Sequence, residues 1–387
     1  DAALRRIVRR IEGYLPETFE VTRERRAEAA KAVSPQLKAA LEQAKANIEA
    51  FHRAQLPAQV EVETMPGVRC VQRAVAIGRA GLYIPGGKAP LFSTVLMLAL
   101  PARIAGCREV ILCTPCGRDG RIAPEILYAA DLCGVDRVFA LGGAQAVAAM
   151  AYGTESIPRV DKIFGPGNRY VTKAKQLAGA ADVAVDLPAG PSEVLVLADE
   201  DARPEFAAAD LLSQAEHGDD SQAVLVCRSE EFARRAIASV GEQAARLSRR
   251  EAIGNSLANS RIVVFSDPDE QIAFADAYAP EHLIVAMRDA WDAAARITAA
   301  GSVFIGGYSP ESAGDYASGT NHTLPTGGWA RAYSGVNTES FMRKITYQEL
   351  TRGGLEALAP TITAMAEAEG LDAHANAVRI RTEGGAR

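Results

Sequence analysis

The chain has 387 residues, of which 48% are hydrophobic and 23% charged, and its formal net charge is −6. This balance is typical of a globular protein with a large core, and the length suggests two or three domains. The mildly acidic charge excludes the basic footprint of a nucleic-acid-binding protein, and the apolar run Leu91–Leu100 is too short to span a bilayer. No secretory signal is visible. We therefore expect a soluble, cytoplasmic protein without nucleic-acid or membrane partners, with an organellar location left open.

The first 60 residues have a helical pattern, because Arg23–Gln55 is rich in Ala, Lys, Glu and Leu with apolar positions at helical spacing. The alternating stretch Val60–Thr64 marks a change. From about residue 62 to 192, β-like runs alternate with helix-like runs. The predicted strands are Gly81–Ile84, Val110–Cys113, Arg137–Ala140, Lys162–Phe164 and Val183–Asp186. The predicted helices are Leu91–Ala105, Pro124–Cys133, Ala144–Ala151 and Asn168–Ala178.

The same pattern restarts after Pro191. The second set of predicted strands is Glu193–Leu197, Ala223–Cys227, Arg261–Phe265, Leu283–Ala286 and Ser302–Ile305. Strand–helix alternation predicts an α/β fold with a parallel sheet covered by helices, here in two units of similar size. The last fifty residues, Thr338–Arg387, are predicted to be helical.

Three glycine-rich turns each follow a predicted strand and precede a predicted helix: Pro85–Gly87, Gly142–Gly143 and Gly165–Asn168. The dinucleotide fingerprint G-x-G-x-x-G is absent, so the pattern alone does not indicate NAD. One such turn is ordinary in a loop. Three in one unit favour a ligand site, because open α/β sheets bind ligands at these turns and helix N-termini attract phosphate.

The chain contains five histidines, of which we interpret His52 as a surface residue without a role. Gln214 and His217 end an amphipathic helical run that Gly218 can terminate. Their spacing of three residues points both side chains from one face, which suits two ligands of one metal ion. Many helices carry such a pair by chance.

Another acid–histidine pair, Glu281 and His282, lies where a predicted strand begins. Adjacent Glu and His side chains can supply two proton-handling groups, although a solvated turn is the alternative. A polar, glycine-rich stretch further on offers Asp315 as a metal ligand and Glu311 and His322 as substrate contacts.

His374 lies in the C-terminal segment, five residues after Glu369. His217, Asp315 and His374 with an oxygen of Gln214 would form a mixed nitrogen and oxygen site. Zinc accepts these ligands and can keep positions open for a substrate. The helix motif of common zinc proteases, H-E-x-x-H, is absent.

Over nearly its whole length the chain resembles the histidinol dehydrogenase family. The resemblance rests on blocks in the family's order: GLYIPGG (81–87), GGAQA (142–146), FGPGN (164–168), PAGPSE (188–193), LLSQAEH (211–217), PEH (280–282), ESAGDY (311–316), TNH (320–322) and AHANA (373–377). It implies two Rossmann-like, incomplete doubly wound parallel-sheet domains with helical terminal segments. It also implies two successive NAD-linked oxidations of L-histidinol, through bound L-histidinal, to L-histidine, the last step of histidine biosynthesis.

The resemblance also implies roles for individual residues. One zinc ion per subunit would be bound by Gln214, His217, Asp315 and His374, with the substrate's imidazole and amine completing the shell. His282 would be the general base, and Glu281 would activate water for the second oxidation. The implied substrate contacts are Ser192, Glu311, His322 and Glu369, together with the four zinc ligands. The implied NAD contacts are Tyr83, Gln145 and Asn168.

The family's site is shared between subunits, which implies a homodimer in which His374 and Glu369 serve the partner's site. The implied domains are 1–61 with 193–336 on the substrate and zinc side, 62–192 on the NAD side, and an exchanged helical segment 337–387. Two stretches depart from the family's pattern: the shortened region at Gly13–Val21, and a shortened loop near Gly179 that we expect to be mobile near the cofactor.

Three other functions fit parts of the pattern. A relative that oxidises another small alcohol, such as a sulfonated diol, would keep the zinc set and His282 but change the amine and imidazole contacts. A zinc hydrolase would use Glu281 to activate water without NAD. An inert metal-binding protein would lack the catalytic residues, all of which are present here.

Overall fold

The structure is a computed structural model that describes residues 1–12, 15–86, 90–117 and 119–383. Gly87 of the first predicted turn, the start of the departing stretch at Gly13, and the end of the predicted C-terminal segment lie outside the described residues. The chain divides into two compact units, Asp1–Gln55 with Ile77–Phe341, and Leu56–Ala76 with Met342–Arg387.

The described residues form strands and helices that follow one another in the predicted alternation. The strands are β1 (Glu20–Val21), β2 (Val60–Met65), β3 (Val68–Ala76), β4 (Arg79–Tyr83), β5 (Glu109–Thr114), β6 (Arg137–Ala140), β7 (Lys162–Phe164), β8 (Ala184–Val185), β9 (Glu193–Ala198), β10 (Gln222–Cys227), β11 (Arg261–Val264), β12 (His282–Ala286), β13 (Ser302–Ile305) and β14 (Met342–Leu350).

The helices begin and end close to the sequence-based bounds. They are α1 (Ala2–Glu12), α2 (Arg23–Ala30), α3 (Pro35–Arg53), α4 (Phe92–Ala105), α5 (Pro124–Leu132), α6 (Gly143–Tyr152), α7 (Arg169–Gly179), α8 (Pro204–Ala215), α9 (Glu230–Ala244), α10 (Arg250–Asn259), α11 (Pro268–Tyr278), α12 (Ala290–Ala294), α13 (Glu311–Tyr316), α14 (Arg352–Ala368) and α15 (Asp372–Thr382). None of these described helices is long and apolar enough to cross a membrane.

The first unit contains two sheets with the same strand order. In the first sheet the order is β1-β6-β5-β4-β7-β8, where β1 is antiparallel and the other strands are parallel. The second sheet is entirely parallel in the order β11-β10-β9-β12-β13. Each set of five parallel strands therefore has the order 3-2-1-4-5, which is an incomplete doubly wound sheet. The predicted fold class is confirmed.

The central strands are apolar because helices cover both faces of each sheet. All six residues of β9 are buried, as are all five of β12. Some of the helices begin at a side chain that accepts a backbone hydrogen bond. The Asn168 side chain caps α7 and the Ser229 side chain caps α9. These caps fix the residue at which each of the two helices begins, and thereby the direction of the side chains in the preceding loop.

The N-terminal residues contribute to the first sheet. Leu4 and Val8 of α1 join the core on one face of this sheet, and β1 pairs with β6. Because both sheets belong to one compact unit, the expected division into two α/β domains stays a prediction.

The second unit contains a three-stranded sheet in the order β14-β3-β2, together with α14 and α15. The prediction that Thr338–Arg387 is helical throughout is therefore wrong for residues 342–350. This segment pairs with all nine residues of β3, which supplies backbone hydrogen bonds along its whole length. Its charged residues suit an exposed edge strand, and the helical prediction mistook them for a helix surface.

Candidate active site

The candidate site lies at the amino ends of the central strands of the second sheet, where β9 begins at Glu193 and β12 begins at His282. Helix α8 ends beside it, so Gln214 lies in the last turn and His217 just beyond. Helix α13 packs against α8 and contributes Glu311 and Asp315. The local sequence thus brings two short helices and two strand ends to one place.

A group of metal-binding side chains forms where these helices meet. Ligand atoms of His217, Glu311 and Asp315 all lie within 4.8 Å of one another. The Nε2 atom of His217 is 4.0 Å from Oδ2 of Asp315, and Nε2 of His282 is 3.6 Å from Oδ1 of the same residue. Asp315 therefore lies between the two imidazoles.

Several polar atoms in this group are buried without a hydrogen-bond partner among the described residues. They are both amide atoms of Gln214, both carboxylate oxygens of Glu311, and Nε2 of His282. Gln214 is fully buried, and Glu311 is 1% exposed. Buried polar atoms without partners are rare in proteins and suggest a missing ligand. Imidazole nitrogen with carboxylate and amide oxygen is a donor set that zinc accepts, so these residues fit a zinc ion.

The backbone of Glu193 holds both members of the Glu281–His282 pair. Its N–H donates to Oε2 of Glu281 at 2.9 Å, and Nδ1 of His282 donates to its carbonyl oxygen at 3.3 Å. The Glu193 side chain accepts in turn from the Gly327 N–H at 3.0 Å. Both side chains of the pair are nearly fully buried. Their positions are therefore fixed by β9 rather than by solvent-exposed contacts.

Burial dominates the electrostatics of the site. It raises the pKa of Glu281 to about 7 and that of Glu311 to about 8. Burial by itself lowers the pKa of His282, but the carboxylates of Glu281, Asp315 and Glu311 outweigh it and raise that pKa to about 10. Burial also lowers the pKa of His217. Three carboxyl groups thus lie close to one imidazole, and a cation bound beside Asp315 would offset their charge and lower the pKa of His282 towards its ordinary value.

Each ring nitrogen of His322 has a hydrogen-bond partner. Its Nδ1 donates to the carbonyl oxygen of Asp315 at 2.8 Å, and its Nε2 lies 3.2 Å from the hydroxyl of Thr94 on α4. The ring therefore fixes the end of α13 that carries Asp315. Ser192, another predicted substrate contact, immediately precedes β9 and is partly buried.

The structure does not bring all predicted site residues together. His374 on α15 and Glu369 at the end of α14 belong to the second unit, where both are exposed. Their roles as zinc ligand and substrate contact stay predictions. Glu311, which was expected to contact substrate, is one of three grouped side chains that could hold a metal ion, and its role as a substrate contact stays a prediction.

The predicted cofactor contacts lie at the carboxyl ends of strands in the first sheet. The hydroxyl of Tyr83, at the end of β4, accepts from the Gly143 N–H at 3.1 Å. Gln145 is buried near the start of α6, and its Nε2 donates to Glu12 at 3.2 Å. Asn168 uses Oδ1 to cap α7, so a contact to a cofactor would come from its Nδ2.

Comparison with known proteins assigns the family. The sequence model described as Histidinol dehydrogenase matches residues 1–382. The chain belongs to the histidinol dehydrogenase family. It is therefore an NAD-dependent oxidoreductase, as the sequence predicted.

Members of this family are similar to the chain over most of its length. It is 60% identical over 356 residues to a histidinol dehydrogenase of Bacteroides fragilis, covering 92% of this chain and 83% of that protein. It is 55% identical over 382 residues to the one of Xylella fastidiosa, covering 98% and 89%. The crystal structure of histidinol dehydrogenase from Elizabethkingia anophelis superposes with a TM-score of 0.97 at 49% identity, covering 99% of this chain and 89% of that one.

Some residues of this family member were missed or misjudged from sequence. His52 is not on the surface: it is fully buried, its Nδ1 donates to Ile48 O at 2.8 Å, and its Nε2 lies 3.3 Å from Nδ2 of Asn321. The buried residues of α3, Leu41, Ala44, Ile48 and His52, recur at helical spacing, a signal that could have identified it. The sequence pattern contains no comparable signal that could have identified Glu193 or Thr94.

Proposed function

We propose that the chain is a zinc-dependent L-histidinol dehydrogenase. It oxidises L-histidinol to L-histidinal, which stays bound, and then to L-histidine, reducing two NAD in turn, as the last step of histidine biosynthesis. The observation that carries this proposal is the position of the Glu281–His282 pair beside His217, Glu311 and Asp315. An acid–base pair beside a cation site suits the oxidation of an alcohol that carries positive charge.

The zinc ligands on this chain would be Gln214, His217 and Asp315, with His374 supplied by a partner subunit. The unsatisfied amide of Gln214 and the short distances around Asp315 support this set. Bound zinc would supply a Lewis acid that orients the alcohol and makes its hydroxyl more acidic.

In the first oxidation, His282 Nε2 accepts the hydroxyl proton while the carbinol carbon gives a hydride to the nicotinamide of NAD. The carbonyl of Glu193 supports this role, because it binds Nδ1–H and so leaves Nε2 for the substrate when the ring is neutral. This pairing also keeps the ring from rotating between turnovers, as general-base catalysis requires.

In the second oxidation, Glu281 accepts a proton from the water that adds to the bound aldehyde. The hydrate then gives a hydride to a second NAD, and its second hydroxyl proton leaves as the carboxylate forms. Across both steps one alcohol, one water and two NAD give one carboxylate, two NADH and three protons. The buried position of Glu281, close to His282, supports this assignment.

Substrate binding would use the surplus of carboxylate in the site. Glu311, with both oxygens unsatisfied, and the partner-supplied Glu369 would offset the ammonium charge of histidinol. Ser192 and His322 would add hydrogen bonds. NAD would bind at the carboxyl edge of the first sheet through Tyr83, Gln145 and Asn168, near the N-termini of α6 and α7.

We also propose a homodimer in which the C-terminal segment is exchanged. Large apolar side chains are exposed on the second unit, among them Met365, Leu371 and Ile380. Exposed apolar side chains in one segment favour a partner surface. A second subunit would cover them and bring His374 and Glu369 to the neighbouring site.

The test is the amount of NADH formed per L-histidinol consumed, with and without prior removal of metal by a chelator. We expect two NADH per histidinol, loss of activity on chelation, and recovery with zinc. One NADH per histidinol would contradict the role of Glu281. No NADH with histidinol, but activity on a sulfonated diol, would favour the related alcohol dehydrogenase, and metal-dependent hydrolysis without NAD would favour a hydrolase.

A further inference from the structure

The third glycine-rich turn has a backbone that only glycine adopts readily. Gly165, between β7 and α7, has a φ of +121°. A Cβ atom at this position would lie 2.1 Å from the carbonyl oxygen of Tyr83 on the neighbouring strand β4. The turn therefore packs closely against β4, the strand that carries the proposed NAD contact Tyr83. Other groups must stabilise this close approach.

Two buried, charged side chains bind the Gly165 main chain, one at its N–H and the other at its carbonyl oxygen. Oδ2 of Asp186 accepts its N–H at 2.7 Å, and Nζ of Lys175 donates to its carbonyl oxygen at 2.8 Å. Lys175 and Asp186 also form an ion pair, with side chains 8% and 2% exposed. The ion pair connects Lys175, in the second half of α7, to Asp186, in the loop after β8.

A buried ion pair is a poor source of stability, because desolvation cancels much of the attraction. Its two members here bind the N–H and the carbonyl oxygen of one residue, Gly165, in a conformation that the turn needs. This favours a positioning role over a stabilising one.

The position of Gly165 affects all three proposed cofactor contacts. Its Cα packs on the backbone of Tyr83, and the hydroxyl of Tyr83 binds the N–H of Gly143 at the start of α6. Gln145 follows in the same helix, and Asn168 ends the Gly165 turn as the cap of α7. A shift of Gly165 would move these elements together.

We propose that Lys175 and Asp186 are positioning residues for NAD, which fix the Gly165 turn in the shape that binds the cofactor. This inference rests on the proposed function, because it uses the cofactor site assigned there. Neither side chain takes part in the chemistry, and neither is near the proposed zinc ligands in sequence.

The test compares Lys175→Met and Asp186→Asn with Lys173→Met, a control that removes an exposed lysine from the same helix. We expect the KM for NAD and the Kd for NADH, measured by fluorescence titration, to rise about tenfold in both pair variants. The KM for histidinol, bound zinc and kcat at saturating NAD should stay close to the unmodified protein. The double variant should be no worse than the more affected single variant, because the two groups act on the same residue, Gly165.

Asp186→Asn keeps an oxygen for the Gly165 amide, so it carries the test if Lys175→Met does not fold. An unchanged KM for NAD and unchanged NADH affinity in Asp186→Asn would overturn the inference. So would a parallel loss in the KM values of both substrates and in kcat, which indicates a merely structural role. Failure of the unmodified protein to bind NADH or oxidise histidinol would instead contradict the proposed function.

Discussion

The Nδ1 atom of His282 lies 3.3 Å from the main-chain oxygen of Glu193, where β12 runs parallel to β9. A carbonyl oxygen can only accept, so Nδ1 carries the proton and Nε2 is the nitrogen that can act as a base. A backbone group sets this choice, and it persists when neighbouring side chains are substituted. We make four predictions, which begin with this pair of residues and continue with residues farther from it.

Substituting His282→Asn removes the base but retains an amide that can donate to the Glu193 carbonyl. We expect kcat for histidinol oxidation to fall about 10²–10⁴-fold, the usual contribution of general-base catalysis. Bound zinc, measured by atomic absorption, should not change. A variant that loses zinc and activity together would show instead that His282 supports the metal site.

Glu281→Gln separates the two oxidations. The amide oxygen still accepts from the Glu193 N–H, so the fold of the site is kept, but the side chain no longer removes a proton from water. We expect one NADH per histidinol, with histidinal captured by an aldehyde-trapping reagent. Glu270→Gln, an exposed glutamate on α11, is the control and should give two NADH. Two NADH from Glu281→Gln at the normal rate would assign water activation elsewhere.

Glu311→Gln decides between two roles for Glu311. The family resemblance makes it a substrate contact, whereas its oxygens lie within reach of His217 and Asp315. We expect the variant to keep its zinc and to raise the KM for histidinol about tenfold, because a hydrogen bond to a charged group is lost. Asp315→Ala, in contrast, should lose zinc. Zinc loss from both variants would make Glu311 a ligand.

His52→Leu tests the correction to the sequence-based interpretation of α3. The substitution leaves Asn321, next to His322, without its partner at His52 Nε2. We expect the free energy of unfolding, from denaturant titration, to fall by about 0.5–1.5 kcal/mol, the net contribution of one hydrogen bond, because Asn321 keeps its bond to the Met97 carbonyl oxygen. Arg53→Ala, at the exposed neighbouring position, is the control. Equal stability of both variants would mean that the buried imidazole contributes nothing.

The sheet strands could be predicted well because they are short apolar runs between helices. Lys162–Phe164 and Ser302–Ile305 have the same bounds in the structure as in the sequence-based prediction. β14 could not be predicted in this way. It mixes charged, polar and apolar residues without regular alternation, and its pairing with β3 depends on residues far away in the chain.

The candidate site also contains some residues that the sequence could reveal and others that it could not. Gln214, His217, Glu281, His282 and Asp315 could be found because polar side chains interrupt apolar runs. The contribution of Glu193 could not, since it comes from main-chain atoms that any residue has. The hydrogen bond between Thr94 and His322 was also out of reach, because it joins residues 228 positions apart.

The two sheets share a strand order, yet the proposed ligand sites lie at opposite ends of their strands. In the first sheet, β4 runs into a turn containing Pro85 and Gly86 at the carboxyl edge, whereas β9, its counterpart, runs into Asp199–Asp201, three consecutive acidic residues. Two of these carboxylates are ion-paired, Glu200 with Arg228 and Asp201 with Arg288. Of the two equivalent crevices, the one with the glycine-containing turn is therefore the proposed cofactor site. The proposed reaction uses two NAD, so the second must wait for the first NADH to depart. In this proposal the reactive aldehyde would stay bound during that exchange, at the other edge and among the buried carboxylates and histidines.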